Sequence, residues 1–377
     1  MDSRALRLGP WIWDARTDLA AFGGSAALAL CVVGIGHATG LSAARLPEWS
    51  YLAFIVAIDV AHVWATLFRT YFDREELARR KTLYIGLPIA GYVISAALHW
   101  ASPLAFWRAL AYLAVFHFVR QQAGWVRIYQ HRSRSAPHVR QTRTGEPRKG
   151  GMPWEHRLDQ IVIYAATCVP LLAWHATLPR AFHWFVPDDF VGAAWLRTCL
   201  PAIKACYAAL LAVFAVHVLW RLVMRKEIAL GKTVVVATTA ACWWIGICTT
   251  DSDLDFTATN VIIHGVPYVV LLWHYGRARR DECPTALGSR IIGSGIAGFF
   301  ATLLAFAFIE EMLWDRLVWH DRAWLFGGSE DDVPLAAWLQ AIMVPLLALP
   351  QVTHYAMDAV LWRRKDRTPA LARSLLD

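Results

Sequence analysis

Charged residues are scarce in this sequence. Only 18% of its 377 residues are charged, whereas 57% are hydrophobic and 20 are tryptophan. Soluble domains carry about 25% charged residues, so this composition excludes an ordinary soluble domain and favours helices embedded in a membrane. The net charge of +8 does not indicate a nucleic-acid partner, because the basic residues stand in short runs between apolar segments and do not form one continuous surface.

Paired cysteines, an internal repeat and a long polar region are also lacking. The seven cysteines are scattered without a C-x-x-C pair, which argues against a disulfide framework or a thiolate metal site. We detect no repeat of the kind found in many transporters. The longest polar connection, 128–157, has the Arg, Ser, Pro and Gly content of a basic cytoplasmic loop,. We therefore expect one transmembrane domain, 1–377.

Long apolar runs fill most of the chain. A helix needs about 20 apolar residues to cross a hydrocarbon core about 30 Å thick. On this criterion the sequence predicts an all-α, polytopic helical bundle of about ten transmembrane helices, at 19–40, 49–71, 82–101, 104–127, 158–178, 201–224, 233–250, 256–277, 290–312 and 334–362.

The charges between these segments alternate in sign and predict an orientation. Basic residues follow the second, fourth, sixth, eighth and tenth segments, whereas the acidic stretches 187–190, 251–255 and 329–332 lie in the opposite connections. Because Lys and Arg accumulate in cytoplasmic loops, we expect both the N- and the C-terminus in the cytoplasm. The predicted location is the plasma (inner) membrane.

Several of the predicted spans contain histidine beside a carboxylate or an amide at helical spacing. Ionisable groups inside a membrane are costly, and each is a candidate functional residue. The groupings are Asp59 with His62, His117 with Arg120 and Gln121, His156 with Asp159, Asn260 with His264, and His354 with Asp358; His274 lies further along the eighth segment.

The predicted topology assigns a depth to each histidine. Counting about 1.5 Å per residue from the cytoplasmic helix ends, four histidines from four helices lie roughly 12 to 18 Å deep: His62, His117, His264 and His354. A shallower layer, roughly 10 Å deep by the same count, holds His156, Asp159, His274, Asp358 and His217. By contrast, we expect Glu310 and Glu311 at the outer interface.

These residues predict a metal site. Neutral imidazole is the commonest protein ligand of metals, and its second nitrogen usually bonds to a carboxylate or amide. Histidine with carboxylate disfavours metals that prefer soft ligands and leaves iron, zinc or manganese open, in a mono- or dinuclear centre. The candidate metal-site residues are His62, His117, His264, His354, Asp59, Asp358, His274 and His156. Arg120 and Gln121 are candidates for orienting substrate or oxygen, and Arg120 is also a candidate salt-bridge partner of Asp59.

Single histidines on separate spanning helices give the chain its resemblance to histidine-rich membrane oxygenases. It resembles the bacterial and archaeal membrane carotene dioxygenases, and more loosely the membrane di-iron desaturases and hydroxylases, whose H-x-x-x-H and H-x-x-H-H boxes it lacks. The resemblance implies iron ligands at His62, His117, His264 and His354. It also implies an enzyme that oxidises a membrane lipid or isoprenoid with dioxygen.

Three other functions remain open on the sequence alone. A proton- or cation-coupled transporter would use the same polar residues as a path across the membrane. A membrane acyltransferase would use His264 as a base beside Asn260. In a structural scaffold, the histidines would only join helices through hydrogen bonds.

Overall fold

The structure, a computed structural model, describes residues 8–43, 48–135, 153–182, 184–224, 226–328, 335–362 and 368–376. The acidic stretch 329–332 and the basic residues 363–367 that entered the orientation argument lie outside these residues. So does 136–152 of the predicted loop 128–157.

Every named element among the described residues is a helix, as the apolar runs predicted. Eight helices are long and apolar enough to cross a membrane. They are α1 (Ala15–Thr39), α2 (Glu48–Arg69), α4 (Lys81–Ala101), α6 (Trp154–Thr177), α7 (Leu200–Val223), α8 (Leu230–Thr249), α9 (Asp253–Glu282) and α11 (Gly295–Trp319).

The remaining main helices are shorter or carry more charge. They are α3 (Arg74–Arg79), α5 (Pro103–Ser135), α10 (Leu287–Gly293), α12 (Ala337–Leu347) and α13 (Leu349–Leu361). The described parts of the predicted loop 128–157 are helical, because α5 continues to Ser135 and the next helix begins at Pro153.

The predicted segment 334–362 consists of two helices instead of one. The first ends at Leu347 and the second begins at Leu349, with Pro350 in its first turn. Proline has no N–H for an intrahelical hydrogen bond but fits the first turn of a helix. The helix break therefore lies at Ala348, six residues before His354.

Helix α9 forms the centre of the bundle. Of its apolar stretch, 83% is buried inside the protein, against 11% for α7 and 17% for α4. It packs against α1, α2, α8 and α10. A residue on α9 can therefore contact several helices at once, whereas α7 and α4 leave most of their apolar side chains on the outside of the bundle.

Matched charges join α2, α3 and α9 at one end of the bundle, and we call this the ion network: Arg69, Asp73, Glu76 and Arg279. Arg279 donates from Nε and Nη2 to the two carboxylate oxygens of Asp73, at 2.7 and 3.0 Å. Arg69, fully buried, lies 3.1 Å from Glu76. Burial opposes ionisation of Asp73, but the hydrogen bonds from Arg279 outweigh it, so the pKa of Asp73 lies below its usual value,.

Candidate metal centre

Four helices that contact one another in a closed circuit, α2, α9, α5 and α13, each contribute one histidine to a single point. We call the four the histidine ring: His62, His117, His264 and His354. All are buried, with at most 2% exposure. One ligating nitrogen from each lies within 4.8 Å of the other three.

The four side chains present the same atom, Nε2, to one another. His264 Nε2 lies 3.0 Å from that of His62 and 3.2 Å from that of His117, and the His117–His354 distance is also 3.2 Å. Ligand nitrogens about 2.0 to 2.1 Å from a common metal ion lie about 2.9 to 3.4 Å from their neighbours. The spacing of the ring is therefore that of a metal coordination sphere.

Hydrogen bonds alone do not account for these three contacts. A neutral imidazole nitrogen has either one proton or one lone pair in the ring plane. Since His264 and His117 each have two Nε2 neighbours, at most two of the three contacts can be hydrogen bonds. A cation at the centre satisfies four Nε2 lone pairs together.

For three of the four histidines, groups around the ring favour a lone pair on Nε2, because the outer Nδ1 nitrogen faces an oxygen. His354 Nδ1 lies 2.7 Å from Thr66 Oγ1. His117 Nδ1 lies 3.4 Å from Asp358, and His62 Nδ1 lies 3.7 Å from Asp59. A proton on Nδ1, held towards such an oxygen, leaves the inward Nε2 free to bind a metal. Two carboxylates, when ionised, also balance the charge of a divalent ion.

Asp358 serves a different histidine from the one that its sequence spacing suggested. It was paired with His354, four residues earlier, but it lies against His117 of another helix and accepts a hydrogen bond from Trp362. The partner of His354 is Thr66, which also lies 3.1 Å from the Tyr268 hydroxyl. Thr66 follows His62 by one helical turn. This spacing could have indicated that Thr66 lies on the same face of α2 as His62 and therefore near the ring.

The pairing of Asn260 with His264 is not made as a hydrogen bond. The Asn260 amide donates to the Phe256 carbonyl oxygen at 2.9 Å, while Asn260 Oδ1 and His264 Nδ1 are both buried without a partner. The His264 ring is held by stacking on Phe118, with centroids 3.7 Å apart and planes 9° from parallel. Phe118 fixes the imidazole plane, a role that the sequence reading missed.

Gly265 allows the two most central helices to approach each other. A Cβ atom at this position would lie 2.7 Å from Ile58 Cγ2 and 3.2 Å from the Ile58 carbonyl oxygen of α2. Any other residue would push α2 away from α9, since such contacts are closer than packed atoms tolerate. The glycine beside His264 thus sets the 3.0 Å distance between His264 and His62.

Helix α2 has wider turns than an α-helix in the segment just before His62. Tyr51–Val60 has π-helical hydrogen bonding, and the ordinary α-helix begins at Ala61. Wider turns of this kind occur often at functional sites. Here the wider turns leave Tyr51, Ile55 and Asp59 on one wall of a cavity.

Several predicted site residues lie away from the ring. Arg120 is exposed and donates to the Tyr164 hydroxyl at 2.7 Å. It does not form the predicted salt bridge with Asp59. Gln121 is buried, and neither atom of its amide has a partner. His274 stacks on Trp13, and His156 accepts a hydrogen bond from Arg134.

The predicted shallow layer is therefore not one cluster. Asp159 pairs with Lys232 at 2.6 Å, and His217 lies 3.5 Å from Glu155. Depth counting placed these residues at similar heights, but their helices point them in different directions. Of that layer, Asp358 is the member that contacts the histidine ring.

Glu310 and Glu311, which were expected at the outer interface, turn towards the inside of the protein. Both are buried, with 4% and 8% exposure. Glu310 accepts from Trp64 Nε1 at 2.6 Å and from the Gln351 amide, and Glu311 accepts from the Tyr51 hydroxyl. Counting residues along α11 gave their height but not the face that turns inward.

A large cavity lies against one side of the ring. It has a volume of about 810 Å³ and is lined near the ring by Asp59, Phe118, Asn260 and Tyr355. The Tyr355 ring lies 5.0 Å from that of His117, and Phe118 covers His264. One layer of side chains therefore separates the cavity from the histidine ring.

Comparisons with known proteins do not assign this site to a family. No protein-family model matches the chain, and no curated protein and no solved structure matches it at a significant level. The geometry of the ring and its cavity is accordingly the basis of the functional argument.

Proposed function

We propose that this protein is a membrane metalloenzyme that holds iron in the histidine ring and oxidises a lipid or isoprenoid with dioxygen. The observation that carries the proposal is the convergence of four buried Nε2 atoms, 3.0 to 3.2 Å between successive neighbours. Imidazole suits iron as well as zinc and copper. The sequence resemblance to membrane carotene dioxygenases adds iron and an isoprenoid substrate to what the ring supports.

The same proposal includes ten membrane spans with both termini in the cytoplasm. Helix α5 and the broken pair α12 and α13 add two spans to the eight apolar helices, and two of the four histidines stand on these added spans. In this proposed topology the ring would lie well inside the plasma (inner) membrane, where water is excluded and a hydrophobic substrate is abundant.

The ring fits one ion better than two. Its four nitrogens surround a single point, whereas carboxylates that bridge two ions would have to face the same side. Asp59 and Asp358 instead face the outer Nδ1 nitrogens of His62 and His117. We therefore assign these two carboxylates to orienting the ligand imidazoles.

A bound iron ion would supply the redox chemistry with dioxygen, and the chain supplies access and enclosure. On the side of His354 and Thr66 lies a second cavity of about 240 Å³, with mainly aliphatic walls that include Leu346 and Leu349. Leu346 is 46% exposed on the outer surface of the bundle. This crevice supports a route by which small apolar molecules reach the ring from lipid.

The large cavity also bears on the transporter alternative, because Asp59, Tyr51 and Glu311 extend polar lining away from the ring. Towards the other end of the bundle, however, Arg69 and Arg279 of the ion network already occupy the carboxylates of Glu76 and Asp73. A cation passing there would have to displace these guanidinium groups. The arrangement supports a cavity that ends at the ring rather than a cation path through it.

The acyltransferase alternative needs His264 to reach a substrate as a base. Its Nε2 instead faces His62 and His117 at hydrogen-bonding distance, and Asn260 does not orient it. A base enclosed by other imidazoles has no open approach for a hydroxyl nucleophile. The geometry favours a ligand role for His264.

Metal analysis of the full-length protein, purified in lipid nanodiscs, tests the proposal. We expect one iron per chain and, with isoprenoid or acyl-lipid substrates, dioxygen uptake that disappears in His117→Ala. His99→Ala is the matched control, since His99 is buried at 5% exposure outside the ring. Activity in a metal-free preparation would overturn the proposal, and so would metal-loaded protein that supports flux of the same cation across proteoliposomes.

A further inference from the structure

The large cavity has an enclosed end and an open end. The enclosed end lies at Asp59, Asn260 and Gln351, next to the histidine ring. The open end is bordered by Glu48 and Asp321, which are exposed, and by Arg322. Glu48 begins α2, and Asp321 and Arg322 follow the end of α11. A molecule in the cavity can thus extend from one end of the bundle to the ring.

The walls between these ends are aromatic. They include Trp107, Trp184, Phe185, Phe256, Trp314 and Trp319. Ligand cavities of about 300 to 1,000 Å³ with such walls and a few polar groups bind small molecules of largely apolar character. The part of a ligand that lies between the two ends would therefore meet aromatic side chains.

At the enclosed end, two side-chain amides have free acceptor oxygens, because their N–H groups already donate hydrogen bonds within the protein. The Asn260 amide donates to the Phe256 carbonyl oxygen, which leaves Oδ1 without a partner. The Gln351 amide donates to Glu310, which likewise leaves Oε1 without a partner. These donor contacts fix which atom of each amide is oxygen.

Asp59 adds a carboxylate to the same end. Its side chain is 35% exposed, and since Asp59 lines the cavity, the cavity is where this exposed part can meet a ligand. Its contact with His62 Nδ1 is long, at 3.7 Å, so accepting capacity remains. Tyr355 lines the cavity too, and its hydroxyl can either donate or accept,.

The charged residues that line the cavity also favour a ligand group that donates hydrogen bonds. Among the residues that the structure describes, the lining contains the carboxylates Glu48, Asp59, Asp253, Glu311 and Asp321 and one guanidinium, that of Arg322. This guanidinium lies over the Tyr51 ring at 3.7 Å. An anionic ligand group would meet like charge along the cavity, whereas a hydroxyl or ammonium group would meet acceptors and aromatic faces.

We propose that this cavity binds an apolar molecule through an end group that donates hydrogen bonds, an alcohol or an ammonium, and places that group against Asp59 and Asn260. The inference rests on the proposed function in one respect: it describes the substrate of the same site. It predicts that substrates bearing a carboxylate or phosphate at this end are excluded.

Binding of three matched amphiphiles tests the proposal in the full-length protein in nanodiscs. The probes are dodecanol, dodecylammonium and dodecanoate, each followed by competition against a brominated dodecanol that quenches the wall tryptophans. We expect the alcohol and the amine to bind at least about tenfold more tightly than the carboxylate, as for one or two buried charge-assisted hydrogen bonds. Equal or tighter binding of dodecanoate would overturn the proposal.

Variants assign the selectivity to particular groups. We expect Asn260→Leu to reduce the preference for both donors about fivefold or more. Asp59→Asn keeps an acceptor oxygen but loses the charge, so it should weaken dodecylammonium and spare dodecanol. Thr353→Val is the matched control, because Thr353 is another polar residue without a partner and lines the smaller crevice instead. Unchanged preference in Asn260→Leu, or unchanged binding of dodecylammonium in Asp59→Asn, would contradict the assignment.

The outcome is separable from that of the metal experiment. Amphiphile binding is measured without turnover, and the metal content of the same sample is determined independently. Donor selectivity in a chain that binds no metal would leave this inference standing and remove the proposed enzyme. A metal-loaded chain that prefers dodecanoate would overturn this inference and leave the proposed enzyme standing.

Discussion

The histidine ring and the ion network are both buried polar clusters built from several helices, but they differ in how their groups are matched. In the ion network, guanidinium donors face carboxylate acceptors, as in the paired contacts of Arg279 with Asp73. In the ring, four chemically identical nitrogens face one another. Opposite charges complete each other within the chain, whereas like ligands require a partner from outside. The first cluster therefore indicates structure and the second function.

The largest effect should follow from removing a central ligand. His264→Ala takes away the nitrogen that lies nearest to two others, so we expect metal content to fall below detection. The loss of affinity should exceed the roughly 10- to 100-fold cost of losing an outer partner. Elemental analysis of the purified variant measures it, with His99→Ala as the buried-histidine control. Full metal content in His264→Ala would mean that the ring is not the metal site.

Breaking the ion network should instead destabilise the fold and leave metal stoichiometry intact in the folded fraction. Arg279→Ala leaves Asp73, which is 3% exposed, without its bidentate partner. Removing one partner of a buried pair costs about 3 to 5 kcal/mol. Reversible unfolding in mixed micelles measures this, and Arg373→Ala, which removes a more exposed partner of Glu282, should cost less than about 1 kcal/mol. Equal effects of the two variants would show that the network is not specially stabilising.

Removing an outer partner of the ring should have an intermediate effect. Asp358→Ala deprives His117 Nδ1 of the carboxylate at 3.4 Å, so the imidazole is less well oriented and less basic. We expect metal affinity to fall about 10- to 100-fold, as measured by competition with a chelator. Asp281→Ala, an exposed position on α9, is the control. Unaltered affinity in Asp358→Ala would show that this carboxylate is not coupled to the ring.

A smaller loss is expected from a change in helix packing that removes no ligand atom. In Gly265→Ala the new methyl group meets Ile58 Cγ2 at 2.7 Å and pushes α2, with His62, away from His264. Overpacking of this kind costs about 1 to 3 kcal/mol, so we expect roughly tenfold weaker metal binding. Gly124→Ala has open space around it and should change little. If both variants bind metal like the original chain, the close approach of the helices does not set the ring.

The sequence alone predicted the helical segments, the four ring histidines and the pairing of Asp59 with His62, but not the partners of His117 and His354. Hydrophobic length identifies a membrane helix, and depth counting along helices of fixed rise gives a height for each residue. Neither fixes rotation about the helix axis. For this reason Asp358 was paired with His354 instead of His117, and Glu310 was assigned to the interface. Thr66 and Phe118 were missed because their roles depend on contacts between helices.

The smallest expected effect is that of acidification, which should destabilise the ion network as Glu76 is protonated. The pKa of Glu76 is lowered because attraction to Arg69 and hydrogen bonds from Tyr84 and Arg79 outweigh the opposing effect of burial. A carboxyl whose pKa is lower in the folded state stabilises the fold above its unfolded pKa, near 4.5. This stability is lost as the pH falls through the lower folded pKa.

We therefore expect the free energy of unfolding to decline below about pH 4.5, by about 1.4 kcal/mol for each unit by which the pKa is lowered. The Glu76→Gln chain should start less stable and show a flatter decline. Acid also protonates imidazole ligands and releases metal, so both chains are compared in the His264→Ala background, where the ring no longer contributes. A decline of equal slope in the two chains would mean that Glu76 is not ion-paired in the folded protein, and the contrast between a matched and an unmatched cluster would no longer hold.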